Sequence, residues 1–86
     1  MPYQVITSKE FDKFLEKHRD LVPKVLSSFR QIAQNPYENT LDIAKLKGEE
    51  NKYRLRLGKY RFLYEILEEQ ILIYAYKASS RGDIYK

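Results

Sequence analysis

Two stretches of this sequence carry most of its chemistry. Between Lys52 and Arg61 stand five cations (Lys52, Arg54, Arg56, Lys59 and Arg61) with no acid among them. The end of the chain, Lys77-Ala-Ser-Ser-Arg81-Gly-Asp-Ile-Tyr85-Lys86, adds three more around a single acid, Asp83. Guanidinium groups bind phosphate through paired N–H donors, so the chemistry these residues suggest is recognition of an anion, with phosphate the natural candidate. Other site chemistries find little support. The chain has no cysteine and one histidine, which excludes a thiolate nucleophile, a disulfide framework and a Cys/His metal set. His18 falls where a helix ends and reads as a helix-end residue. There is no Gly-rich phosphate loop and no Gly-x-Ser-x-Gly elbow. The acidic pairs Glu49-Glu50 and Glu68-Glu69 fall in expected turns and read as solvated.

The cations sit on an expected hairpin. Tyr53-Arg-Leu-Arg-Leu57 alternates apolar with basic, Gly58-Lys59 suits a two-residue turn, and Tyr60–Leu67 continues as a strand. A two-residue turn pairs Leu57 with Tyr60, Arg56 with Arg61, Leu55 with Phe62 and Arg54 with Leu63. Side chains alternate by face. Tyr53, Leu55, Leu57, Phe62, Tyr64 and Ile66 then share the face that helices cover. Lys52, Arg54, Arg56, Arg61, Leu63 and Glu65 share the other. Arg56 opposite Arg61 disfavours folding, because like charges across strands repel. A bound anion would relieve that repulsion. The plainer alternative is a solvated basic face with Lys52 paired to Glu65. Glu68-Glu69-Gln70 turns the chain into a third strand, Ile71–Ala78. In a meander its end at Lys77 lies beside Arg61, so Arg81 and Tyr85 emerge next to the basic face.

Upstream, Tyr3–Ile6 reads as a strand. Thr7 and Glu10 fit a capping box, and Phe11, Phe14, Leu15 and His18 follow at helical spacing. A second helix starts near Asp20, with Pro23 in its first turn. Its apolar stripe is Val22, Val25, Leu26, Phe29, Ile32 and Ala33, and Asn35-Pro36 ends it. Leu41, Ile43 and Leu46 suit a short strand before a turn at residues 48–51. The expected architecture is α+β in the order β-α-α-β-β-β: an N-terminal strand and a helix hairpin packed on a small antiparallel sheet, one domain over residues 1–86.

Length and composition agree with that scale. The chain has 86 residues, 43% hydrophobic and 33% charged, with three Gly and three Pro. Such a composition excludes collagenous, low-complexity and wholly disordered chains. No apolar run approaches the ~18 residues of a membrane span. The first residues reach Lys9-Glu10 without a signal-peptide stretch, so a cytoplasmic location and no membrane partner are expected. The net charge of +4 is compatible with a nucleic-acid partner.

With these residues in view the chain resembles the RelE/ParE superfamily of toxin–antitoxin toxins. The matching string is Leu46-Lys-Gly48, Tyr53-Arg-Leu-Arg-Leu-Gly58-Lys-Tyr60-Arg61, Tyr64-Glu-Ile66, Ser80-Arg81 and Ile84-Tyr85. With the helix hairpin in front, the likeness covers essentially the whole chain. Its basic positions fit the RelE-like branch, whose site uses Lys or Arg before the hairpin turn, an Arg after it, an Arg after the last strand and a C-terminal Tyr. The resemblance implies Arg54, Arg56, Arg61, Arg81 and Tyr85 as catalytic residues, with Lys47, Lys52, Lys59 and Lys77 binding RNA. One departure stands out: Ser79-Ser80-Arg81 replaces the Gly-His-Arg of many relatives.

The activity implied is metal-independent, cofactor-free cleavage of mRNA in the A site of the 70S ribosome. A 2′-OH attacks the adjacent phosphate, leaving a 2′,3′-cyclic phosphate and a 5′-OH end. Tyr85 is the implied base, helped by neighbouring guanidinium groups that favour phenolate. Arg61 and Arg81 would stabilise the phosphorane charge, and Arg54 and Arg56 would orient the phosphate. The implied partners are a RelB-like antitoxin and, only through the toxin–antitoxin pair, operator DNA. Two other readings stay open: a gyrase inhibitor of the ParE type, and an inactive relative that only binds antitoxin.

Overall fold

The structure is a computed structural model and describes residues 2–80. Strand β1 (Gln4–Thr7) leads into helix α1 (Lys9–Lys17), a 3-10 turn at Arg19–Leu21 and helix α2 (Val22–Gln34). Then come β2 (Ile43–Lys45), β3 (Lys52–Leu57), β4 (Tyr60–Leu67), a second 3-10 turn at Glu68–Gln70 and β5 (Leu72–Ser79). The short strand suggested by Leu41, Ile43 and Leu46 is β2. The fold is α+β, with both helices packed against one sheet.

The sheet order is β1-β5-β4-β3-β2. Neighbours from β2 to β5 run antiparallel, but β1 lies parallel to β5 with Val5 opposite Ile73. The sheet is therefore mixed where a purely antiparallel one was expected. A parallel neighbour needs a long crossover, and here the crossover includes the helix pair.

Helix α1 is capped one residue later than the sequence suggests. Thr7 is the last residue of β1, held opposite Ala75, so the first residue free to cap is Ser8. Its hydroxyl accepts from the Phe11 amide at 3.1 Å, while Thr7 Oγ1 donates to Asp12 Oδ1 at 2.5 Å. Pro23 stands in the first turn of α2, where its missing N–H costs nothing. The buried line of α2 is Val25, Ser28, Phe29, Ile32 and Ala33. Leu26, expected in that stripe, is 53% exposed, because it sits past the seam facing the sheet and Ser28 occupies the seam instead.

The core joins Phe11, Val25, Phe29 and Ile32 to Leu55, Phe62, Tyr64, Ile66, Ile73 and Ala75 from the sheet. Phe11 meets Phe29 edge-on with ring centroids 5.7 Å apart. His18 stacks on Phe14 at 4.1 Å and its Nδ1 lies 3.0 Å from the Phe14 carbonyl. That confirms its place at the end of α1. Glu68 is not simply solvated as expected. It accepts hydroxyls from Tyr3, at 2.8 Å, and from Tyr37. These bonds hold its carboxyl below the usual range and tie the β4–β5 turn to two distant segments. Ile71 has a positive φ of 50° and its amide closes the 3-10 turn onto Glu68 O at 3.1 Å. The last strand therefore starts at Leu72, one residue later than expected.

Candidate functional site

The β3–β4 hairpin has the register its two-residue turn dictates. Arg56 is opposite Arg61, Arg54 opposite Leu63 and Lys52 opposite Glu65. The apolar partners of this ladder, Leu55, Phe62, Tyr64 and Ile66, are buried under the helices. The three arginines thus share the face of the sheet away from the core.

Asp42, which sequence reasoning missed, organises two of them. Its Oδ2 accepts from Arg56 Nε at 2.6 Å and its Oδ1 lies 3.4 Å from Arg54 Nη1. Its backbone carbonyl also accepts from the Arg56 amide at 2.9 Å. Strand β2 explains the placement, since Ile43 opposite Leu55 and Ala44 opposite Arg54 set Asp42 beside Arg56. Reading residues 41–46 as the partner of β3 would have found it. The hydrogen bond from Arg56, with both nearby guanidinium charges, holds the Asp42 carboxyl below its ordinary range. Part of the relief that an external anion was expected to give is thus supplied from within the chain. Arg54 is held closer to the protein, its side chain only 14% exposed against 49% for Arg56.

Arg61 curls back on the hairpin, its Nη1 3.3 Å from Gly58 O and 3.4 Å from Tyr60 O. Its Nε is buried and has no partner among the described residues. Lys59 stands at the hairpin tip with Nζ 5.5 Å from the Tyr60 ring centre. Lys52 does not pair with Glu65 through its side chain, as the plainer reading had it. Its Nζ is 3.6 Å from Glu49, and Glu65 accepts from Asn51 Nδ2 at 2.9 Å.

Strand β5 corrects one more expectation. A bulge between Leu63 and Tyr64 puts Lys77 opposite Leu63 and Ser79, not Lys77, opposite Arg61. Lys77 instead joins Lys47, Lys52 and Arg54 around an open cavity of about 680 Å³, together with Lys45 and Tyr76. The expected site residues therefore form two adjoining groups. Arg56, Lys59 and Arg61 gather at the hairpin end; Lys47, Lys52, Arg54 and Lys77 line the cavity. Arg81 and Tyr85 lie outside the described residues. The Tyr76 phenol is pushed up by burial and by Glu65 and Glu49, which disfavours it as a base at neutral pH. Chemically, the described face offers fixed guanidinium and ammonium donors, suited to holding phosphate groups and stabilising charge that develops on one.

No protein-family model matches the chain. A protein of Methanocaldococcus jannaschii named toxin RelE1 is 33% identical over 79 residues, spanning 86% of this chain and 88% of its own length. This chain belongs to the RelE family of toxins. Two solved structures agree with that placement. The RelB–RelE antitoxin–toxin complex from Methanococcus jannaschii matches with TM-score 0.73 and 28% identity, over 94% of this chain and 95% of that one. The RelBE2 toxin–antitoxin complex from Mycobacterium tuberculosis matches with TM-score 0.73 and 25% identity, over 94% of this chain and all of that one. As a RelE homologue of toxin–antitoxin systems, the chain carries its basic face on the hairpin that leads into β5. Among its described residues no helix is long and apolar enough to cross a membrane.

Proposed function

We propose that this RelE-family chain cuts mRNA in the ribosomal A site and so arrests translation. The observation that carries the reading is the pairing of Arg56 with Arg61 on a strand ladder that also holds Arg54, on the sheet face away from the helices. Opposed like charges cost stability, so a phosphate-binding role accounts for keeping them. Each guanidinium has five N–H donors, and Asp42 engages one nitrogen of each partner. Among the described residues nothing else engages the remaining donors of Arg54 and Arg56, which orient the scissile phosphate. Arg61 and Arg81 stabilise the dianionic phosphorane formed when the 2′-oxygen attacks. Tyr85, as phenolate, accepts the 2′-OH proton, the P–O5′ bond breaks, the departing 5′-oxygen takes a proton from water, and the products are a 2′,3′-cyclic phosphate and a 5′-OH. A free Tyr, of pKa ~10, is a poor base near neutrality; neighbouring guanidinium charge favours phenolate. Groups this weak explain a dependence on the ribosome, which would hold the RNA for in-line attack. A RelB-like antitoxin is the proposed partner, supported by the RelB–RelE complexes among the structural neighbours. Operator DNA would be met only through that complex, in the cytoplasm.

Primer extension on an mRNA held in programmed ribosomes tests the proposal. The native chain should produce new 5′ ends in the A-site codon, and a folded Arg81→Ala/Tyr85→Phe double variant should not. Cleavage by that double variant overturns the assigned roles. A folded native chain that arrests growth without cutting mRNA points to the gyrase-directed reading. Neither cutting nor arrest leaves a chain that only binds antitoxin.

A further inference from the structure

We infer that the cavity beside the arginines is a nucleobase subsite, with Tyr76 as its stacking platform; this rests on the RNA reading above. The first observation is the bulge in β5. Leu63 pairs with Lys77 and Tyr64 with Ala75, which leaves Tyr76 as the extra residue without a ladder partner. In a regular strand neighbouring side chains point to opposite faces, so Tyr76 and Lys77 would be separated. Both line the same cavity. A bulge that re-aims a side chain is a recurrent device beside functional sites. This one is anchored, because the Tyr76 carbonyl accepts from Ser8 Oγ at 2.8 Å, which ties it to the cap of α1.

The second observation is the composition of the cavity. Its lining combines Tyr76, Leu63 and Ala44 with Lys47, Lys52 and Arg54, and one acid, Glu49. At about 680 Å³ it falls within the ~300–1,000 Å³ range of small-molecule sites. An aromatic ring among cations matches a ligand with a flat, apolar part and an anionic part, which describes a nucleotide. An acidic peptide would satisfy the cations alone.

The third observation concerns what covers the ring. Lys52 Nζ stands 5.8 Å from the Tyr76 ring centre and is held by Glu49 at 3.6 Å. The Tyr74 ring borders that of Tyr76 as well, tilted, with centroids 6.1 Å apart, and the group over the Tyr76 face is the end of a flexible side chain. Lys52 can turn to an incoming phosphate and leave the ring to a base. The Arg54 guanidinium, fixed by Asp42 on the same wall, would hold the adjoining phosphate.

The test uses fluorescein-labelled RNA, an adenosine hexamer against an abasic hexamer, with anisotropy read on the full chain without ribosomes. The native chain should bind the base-bearing RNA more tightly. Tyr76→Ala should weaken that binding by about 5- to 150-fold, the range that one lost base–aromatic stack implies. It should leave the abasic RNA unaffected. Tyr76→Phe, which keeps the ring and drops the hydroxyl, should stay within about 2-fold of native. Equal native affinity for the two RNAs overturns the inference and needs no variant to fold. So does a Tyr76→Ala chain that keeps the preference, or a native chain that binds neither RNA. A Tyr76→Ala chain that loses affinity for an acidic peptide but not for RNA makes the cavity a protein interface instead. The two readings separate cleanly. A base preference with no ribosomal cleavage keeps the subsite and removes the nuclease. Cleavage at an equal subsaturating rate by native and Tyr76→Ala chains does the reverse.

Discussion

Arg61→Met should make the protein more stable and less active at once. Arg61 faces Arg56 across the ladder, and directly opposed like charges cost ~0.2–1 kcal/mol. Its Nε is buried without a partner among the described residues, and an unmet buried donor costs ~1–3 kcal/mol. Against these stand two long contacts from Nη1, at 3.3 and 3.4 Å, which return part of that cost. Methionine preserves most of the apolar stem and carries neither charge nor donor. The net expectation is a gain of about 1 kcal/mol, a rise in Tm of ~4–8 °C for a domain this size. Loss of a positioned donor to the phosphorane should lower A-site cleavage by ~10²–10³. Thermal and urea unfolding give the first number, and single-turnover cleavage on programmed ribosomes gives the second. Arg61→Lys separates the causes: it keeps the opposed charge but puts a methylene where the buried Nε stands, so any gain in stability it shows reports the unmet donor alone, and having lost the planar fork it should cleave slowly. A lower Tm for Arg61→Met would show that Arg61 stabilises the hairpin. A stable variant with native activity would remove Arg61 from the site.

Two further predictions concern the groups around it. Asp42 has a lowered pKa in the folded chain, caused first by the hydrogen bond from Arg56. Its contribution to stability is present above the ordinary aspartate value of ~3.9 and is lost as pH falls through the lower folded value. Asp42→Asn should therefore melt below native at neutral pH, with the gap closing at and below ~pH 4; a gap that persists unchanged into acid would mean that the carboxylate charge is not what matters. Tyr64 is buried, and its hydroxyl has no partner among the described residues. Tyr64→Phe keeps the ring against Phe29 and Tyr53 and should gain about 1 kcal/mol in urea unfolding, whereas a loss of that size would reveal a partner for the hydroxyl.

The hairpin was legible because its information is local. The alternation in Tyr53–Leu57, the Gly58 turn and the alternation after Tyr60 fix every cross-strand pair once the turn has two residues, including Arg56 against Arg61. The helices were legible from their spacing, as was the end of α2 at Asn35. What the sequence could not show depends on segments far apart in the chain. Capping by Ser8 in place of Thr7 follows from Thr7 being held in β1 against β5. The exposure of Leu26 depends on how α2 seats on the sheet. Asp42 joins Arg54 and Arg56 only because β2 closes on β3, and Lys77 joins Tyr76 on the basic face only through the bulge against β4. Periodicity and turn length thus determined which cations share a face. Closure of the five-stranded sheet decided which carboxylate holds them and which side chains stand beside them, because that depends on the register in which β2 meets β3 and on the bulge in β5, and the periodicity of a single strand fixes neither.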